Sequence, residues 1–218
     1  MQANPITAPD PRQSAGEKSI LDAAVQLFSE YGYDGVSMRR IAAAAGVSKS
    51  NIYHHFTSKE ALYLGILHGS AQRLSEIVED LAEGDGSFQR RLRVFAEAHL
   101  KHLFANETTL RLVLREAFLG DEEKSRLVVD QVVGGIFNRM VAIFQAGQQA
   151  GILRADLDPG LCTTLLMGAN LFFFQAQGML QQIPEAGFAK DSTGFNRQMV
   201  DVMLSGMLCQ EYAREMGK

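Results

Sequence analysis

Apolar residues recur at helical spacing along nearly the whole chain. Ile20, Leu21, Ala24, Val25 and Phe28 form one stripe behind Ser14-Ala15-Gly16-Glu17. A serine followed three residues later by glutamate predicts a capped helix start. Thr57-Ser58-Lys59-Glu60 stands in the same relation to Leu62, Ile66 and Leu67. Gly32 is expected to stop the first helix, and Gly35 to lead into the next. Between the two capping boxes, Ser37 can cap Met38 to Ala45 and Ser48 can cap Lys49 to His55, with Gly46 breaking the chain between them. Two short helices around a glycine turn are the helix-turn-helix plan. Ala42 to Ala45 are small enough to let the pieces cross closely.

Longer helices are predicted afterwards: from Thr57 to about Leu81, then Phe88–Ala105, Thr108–Leu119, Glu122–Ala150, Pro159–Gln182 and Phe195–Met216. Asp158-Pro159 is a strong start, with aspartate as cap and proline at the first helical position. Ile183 to Gly194, holding Pro184, Gly187 and Gly194, reads as a surface loop. No period-2 strand and no internal repeat stands out, so the fold class is all-α. The expected organisation is a frayed tail over residues 1–13, a three-helix head with the helix-turn-helix over 14–57, and a larger helical domain over 58–218. Leu161 to Ile183 carries no charged residue and is long enough to span a bilayer. Its threonines, glutamines and glycines favour a helix buried by protein, and no membrane partner is expected.

Composition narrows the function. Apolar residues make up 46% and charged residues 21% of the 218, an ordinary globular balance. The net charge is -4, so nucleic acid could be met only through a local patch. Such a patch exists: Ser37 to Lys59 holds Arg39, Arg40, Lys49 and Lys59 and no acidic residue. His54 and His55 are possible additions. The two cysteines, Cys162 and Cys209, exclude a disulfide scaffold and a cysteine zinc site. They read as small core residues or, as a minor alternative, a redox sensor.

The run Ile41-Ala42-x-x-Ala45-Gly46-Val47-Ser48-Lys49-Ser50-Asn51-Ile52-Tyr53-His54-His55-Phe56-x-x-Lys59-Glu60-x-Leu62 resembles the DNA-binding signature of TetR-type (TetR/AcrR-like) bacterial transcriptional regulators. The resemblance covers roughly residues 14 to 62. Ser50 stands where many members carry glycine, which bears on base contacts rather than on the fold. In a helix-turn-helix the second helix enters the major groove, its N-terminal residues facing base edges. Ser48, Lys49, Ser50 and Asn51 occupy that end. Lys49 suits guanine acceptors, and Asn51 suits adenine or a phosphate. The resemblance implies that Tyr53, His54 and His55 grip phosphates. Lys59, at the start of the next helix, and Ser37 are further phosphate candidates. Plainer readings stand beside these: Ser37 and Ser48 as caps alone, Arg39 and Arg40 as a solvated face. His54 and His55 point in different directions on a helix, so one metal ion cannot easily take both. Phe28, Ile41, Val47, Ile52 and Phe56 are expected to form the head's core.

Eleven of the thirteen phenylalanines and seven of the nine methionines follow residue 60. Such residues line adaptable apolar cavities, and equally fill ordinary helical cores. The candidate ligand-binding residues are Phe95, His99, Arg111, Arg115, Phe118, Phe137, Phe144, Phe173 and Gln175. His99 and His102 are spaced for a shared metal but have no evident third ligand, so two partly buried histidines are favoured and neither metal nor cofactor is expected. In the last two helices, Phe195, Met199, Val202, Gly206 and Cys209 make one apolar stripe, and Pro159–Gln182 is apolar almost all round. A helix apolar on every side must be covered on every side. A two-fold homodimer would cover them, with Leu161, Leu165, Phe172, Phe195, Met199, Val202 and Gly206 in its interface, as the resemblance implies. A larger monomeric core is the alternative.

Together these observations predict a cytoplasmic repressor that binds double-stranded DNA at a palindromic operator and is released by a small, largely apolar effector. An activator uses the same parts. An enzyme is the rival from another class, but no nucleophile elbow, P-loop or dinucleotide glycine signature occurs. A helical adaptor that binds protein is the third reading.

Overall fold

The computed structural model describes residues 15–119 and 122–209. The expected tail, the Ser14 cap and the end of the last helix at Met216 lie outside them. Among the described residues there are ten α-helices and no β-strand: α1 Ala15–Tyr31, α2 Met38–Ala44, α3 Lys49–His55, α4 Lys59–Glu83, α5 Phe88–Ala105, α6 Glu107–Leu119, α7 Glu122–Val128, α8 Gly134–Gln149, α9 Pro159–Leu180 and α10 Ser192–Met207.

Local chemistry sets the short elements. Ser37 Oγ accepts the Arg40 backbone N–H at 3.2 Å and opens α2, and Ser48 Oγ accepts that of Asn51 at 3.1 Å and opens α3. Gly32 and Gly46 sit at φ +76° and +68°, the left-handed region where a side chain would be strained. They end α1 and turn α2 into α3. The cap of α4 is Ser58, whose Oγ accepts from Ala61 N at 3.0 Å, so Thr57 is not the cap. Asp158 caps α9 through Leu161 N at 2.8 Å, with Pro159 in the first turn.

Three expected elements differ. Residues 122–150 do not form one helix: α7 passes into α8 through a π-helical turn, Val129–Val133. Turns of this kind commonly mark functional places. The last helix ends at Met207 rather than running on. Leu208 is extended and bridges to Leu153, while Cys209 N–H donates to Ile152 O at 3.0 Å, drawing the chain against the α8–α9 connection. The stretch Ile183 to Gly194 contains a 3-10 turn, Gly187–Lys190. The Ala189 carbonyl in it accepts the side-chain amides of Gln177 and Gln181, both at 3.1 Å, and pins it to α9. One helical run, Ser125–Gln149, is long and apolar enough to cross a membrane by length and composition. It is not the stretch that the sequence singles out, and it packs on α4 and α9.

The head's core holds Ile20, Phe28, Ile41, Ile52, Leu62 and Leu67, each with no exposed surface. Burying each contributes about 1.5–3 kcal/mol before entropy is charged against it. This core continues into Leu112, Val113 and Val128 of the larger domain, so head and body share one apolar cluster. Gly65 lets the Phe56 ring approach α4: a Cβ there would stand 3.2 Å from that ring. In the body, α5, α9 and α10 enclose a polar knot. Asn170 Nδ2 donates to Ala96 O at 2.8 Å and lies 3.2 Å from His99 Nδ1. Asn196 Nδ2 donates to Ala96 O and to Asn170 Oδ1, both at 2.9 Å. The knot satisfies groups that would cost about 1–3 kcal/mol each if left unpaired.

Candidate nucleic-acid interface and its connection to the body

α3 presents its N-terminal residues outward: Ser48, Lys49, Ser50 and Asn51 are all exposed, while Ile52 on the opposite face is fully buried. One turn later Tyr53 and His54 are exposed and His55 is half-buried. Phe56 belongs to the core, and Val47 packs half-buried against it. Lys49 Nζ lies 5.9 Å from the Tyr53 ring centroid, which keeps cation and phenol on one surface. Ser37, Arg39 and Arg40 are exposed beside them. The Arg40 guanidinium stacks 3.6 Å from the centre of the Tyr31 ring, a pre-ordered cation whose donor edges remain at the surface. Both capping serines use an oxygen lone pair on the backbone, so each hydroxyl proton is free to donate. His54 and His55 stand edge to face, and no cluster with metal-ligand character exists among the described residues.

Lys59 does not face this surface freely. Its Nζ donates to Tyr33 O at 2.9 Å and Val36 O at 3.1 Å and lies 4.1 Å from the Tyr33 ring centroid. It holds the α1–α2 loop closed over the start of α4, where the sequence suggests a phosphate contact.

The nine candidate ligand residues are not brought together. Phe95, His99, Phe144 and Phe173 are core residues. His99 stacks on Phe95 and joins the polar knot. Desolvation, and then the neighbouring His102, push its pKa down to about 3, so it is a neutral imidazole. The shared-metal reading of His99 and His102 gains no third ligand among the described residues. Phe118 is 74% exposed and Gln175 is exposed. Phe137 packs half-buried beside Gly160. Arg111 pairs with Glu107 on the surface at 2.9 Å. Arg115 is structural: its guanidinium donates to Phe28 O at 2.9 Å and Ser29 O at 3.2 Å at the end of α1, and to Glu116 at 2.9 Å. The sequence gives no local sign of this clamp, which joins residues 87 apart in the chain.

The candidate dimer residues do converge. Leu161, Leu165, Phe195, Met199, Val202 and Gly206 line one apolar groove of about 660 Å³ between α9 and α10. Leu161, Leu165, Phe172 and Val202 are each more than half exposed. Phe195 also stacks on Phe173, ring centres 4.0 Å apart, and so ties the groove floor to the core.

Residues 20–66 match the family described as bacterial regulatory proteins, tetR family, and residues 89–203 match the tetracyclin repressor-like C-terminal domain. The HTH-type transcriptional regulator RutR of Escherichia coli (strain K12) is 50% identical over 54 residues, 25% of this chain. That match spans 26% of the relative's length, so it concerns the head alone. The fatty acid metabolism regulator protein of Bacillus subtilis (strain 168) is 25% identical over 149 residues, 68% of this chain and 76% of that one. Among solved structures, the fatty acid degradation regulator FadR of Bacillus halodurans superposes with a TM-score of 0.70 at 22% identity, covering 89% of this chain and 97% of that one. At that identity the likeness speaks to the fold. An N-terminal match on the helix-turn-helix and a C-terminal match over more than half the chain agree with the architecture: the chain belongs to the TetR family of bacterial regulatory proteins.

Proposed function

We propose that the protein is a homodimeric, sequence-specific DNA-binding repressor that leaves a palindromic operator when a small molecule binds. The observation that carries this reading is α3: a serine-capped helix whose exposed face is free of acid and holds Lys49, Asn51, Tyr53 and His54, on a chain that is negative overall. Lys49 and Asn51 read base edges. Arg39, Arg40, Ser37, Tyr53, His54 and His55 hold the backbone, and positioning contacts of that kind are sequence-independent. The groove between α9 and α10 supports pairing through a second copy. A two-fold axis there sets two recognition helices in successive major grooves, about 34–36 Å apart. The body transmits the effector signal through α4, which begins under the head and continues into the body, where its Ile77, Val78 and Leu81 are buried, and through the Arg115 clamp. The work is done where the chromosome is, in the cytoplasm.

Gel shift and footprinting of the purified protein on DNA upstream of its own gene test the reading. Protection of two symmetric half-sites about one helical turn apart is expected. No protection on any duplex at low ionic strength refutes it.

A further inference from the structure

A second groove, of about 450 Å³, lies beside the α8–α9 connection and serves none of the roles above. Successive turns of α8 form its floor, through Ala142, Ile143, Ala146 and Ala150, with Phe88 of α5 and Ile152 as walls. The three alanines are exposed and the two isoleucines half-buried, so this is apolar surface open to water. α8 belongs to the run Ser125–Gln149, and only 28% of the apolar window in that run is buried. A helix so apolar calls for cover on more than one side. The charge of the lining has one sign: Arg91 and Arg139 belong to it and no carboxylate does. Arg91 donates to the Leu81 and Ala82 carbonyls, and Arg139 pairs at 2.7 Å with Glu79, which stands outside the lining.

The chain is led to this groove. On the two sides of the Leu208–Leu153 bridge, Arg154 N–H donates to Met207 O and Cys209 N–H donates to Ile152 O, both at 3.0 Å. The pairing is antiparallel, so the chain leaves Cys209 heading toward Gly151 and Ala150, and Ile152 is already a wall of the groove. Nine residues of the sequence follow, 210–218. Extended, nine residues reach about 30 Å, and the floor from Ala150 to Arg139 is about 16 Å long. At helical spacing Glu211, Tyr212, Glu215 and Met216 share one face, two acids beside two apolar side chains, with Arg214 and Lys218 on the other.

We propose that this groove is the dock for the chain's own residues 210–218: Tyr212 and Met216 cover the alanines of α8, while Glu211 and Glu215 meet the guanidiniums of Arg91 and Arg139. An apolar floor with two cations suits an apolar face with two carboxylates. The tether at Cys209 holds the segment at high effective concentration, so modest contacts suffice to seat it. Seated, it prolongs the Leu208–Leu153 contact and straps α10 to α4, α5 and α8. The groove has the volume of a small-molecule site, and the seated segment keeps effectors out of it. None of this rests on DNA binding.

The test uses the full-length protein without DNA. Trypsin cuts after Arg214, and a synthetic peptide of residues 210–218 gives the unprotected rate. In the protein this cut, followed by mass spectrometry, is expected to be about tenfold slower or more, because cleavage follows the undocked fraction. Ala146→Glu puts a carboxylate at an exposed place on the floor and should bring the rate to within about twofold of the peptide. Tyr212→Asp should do the same from the segment's side, and it leaves the helix packing of the body untouched should Ala146→Glu disturb it. A photoreactive benzoylphenylalanine in place of Tyr212 should label residues 139–150 of its own chain. A peptide-like rate in the parent protein would overturn the proposal, as would protection that survives Tyr212→Asp. So would labels confined to other surfaces, or a link from one subunit to the next, which would make a second copy the occupant. A protein that passes these tests and binds no duplex would keep this dock and lose the repressor.

Discussion

Replacing Lys59 by methionine keeps the aliphatic stem and removes the ammonium. Two hydrogen bonds from a charged donor go with it, to Tyr33 O and Val36 O at 2.9 and 3.1 Å, together with the contact to the Tyr33 ring. Bonds of this kind are worth about 1.5–3 kcal/mol each when fully desolvated. Lys59 is half-buried, so water already competes, and the total loss should be about 2 kcal/mol. At about 2–4 °C per kcal/mol for a chain of this size, the thermal midpoint followed by circular dichroism should fall about 4–8 °C. Operator affinity should fall by the same factor at every salt concentration, because the loop under α2 loosens while no phosphate contact is removed. The slope of log K against log salt should therefore match that of the parent protein. An unchanged midpoint together with a slope shallower by about 2 per dimer would make Lys59 a phosphate ligand after all and refute the structural role given to it here.

Lys49→Ala should do the opposite: thermal midpoint unchanged, base preference relaxed in a selection from random duplexes, and a binding loss of about 1–3 kcal/mol at the preferred site; a uniform loss on all sequences would move Lys49 from bases to backbone. With about three cations per subunit on the DNA, the parent slope should be about -5, and a slope near zero in filter binding would count against the interface. Val202→Asp combined with Leu165→Asp should give a monomer by sedimentation equilibrium with helicity retained, since these side chains are 72% and 52% exposed; a persistent dimer places the two-fold axis elsewhere. His99 takes up a proton in the unfolded chain near pH 6.5 but in the folded one only near 3, and His102 is shifted in the same direction. The unfolded state thus binds more protons between those values, so this stability is complete above about pH 6.5 and drains as pH falls. The urea midpoint should drop between pH 7 and pH 5, and less steeply in His99→Leu; equal slopes would assign the titration to another group.

The head was readable from sequence because its determinants are local. Ser37 and Ser48 each cap the helix that begins at the next residue by accepting the N–H three residues on, Gly32 and Gly46 take left-handed angles, and the alternation of Ile52 and Phe56 with Lys49, Asn51 and Tyr53 sorts core from surface on one short helix. The box Thr57-Ser58-Lys59-Glu60 points to Thr57 as the cap of α4, whereas Ser58 takes the extended cap conformation and accepts from Ala61 N, a choice of backbone angle that spacing does not show. In the body the same apolar residue types serve as core, groove and exposed face. Phe144, Phe195 and Phe118 are alike in composition and differ only in what packs against them from distant helices. The π-helical turn at Val129–Val133 leaves helical periodicity nearly intact, which is why Glu122–Ala150 reads as one helix. Leu208 leaves α10 for a partner, Leu153, that no spacing rule connects to it.

The Arg115 clamp has a bearing on grafting. Its donors belong to a side chain of α6, but its two acceptors at the end of α1 are main-chain carbonyls, which every residue supplies. Exchanging this head for that of a relative should therefore leave the clamp intact whatever residues stand at those two places. Adding or deleting one residue within α1 would not be neutral: each residue turns the helix by about 100°, and the carbonyls would swing away from the guanidinium. Chimeric regulators built on this body can vary the exposed positions of the first helix, but must keep its length and the buried apolar residues at Ile20, Ala24 and Phe28.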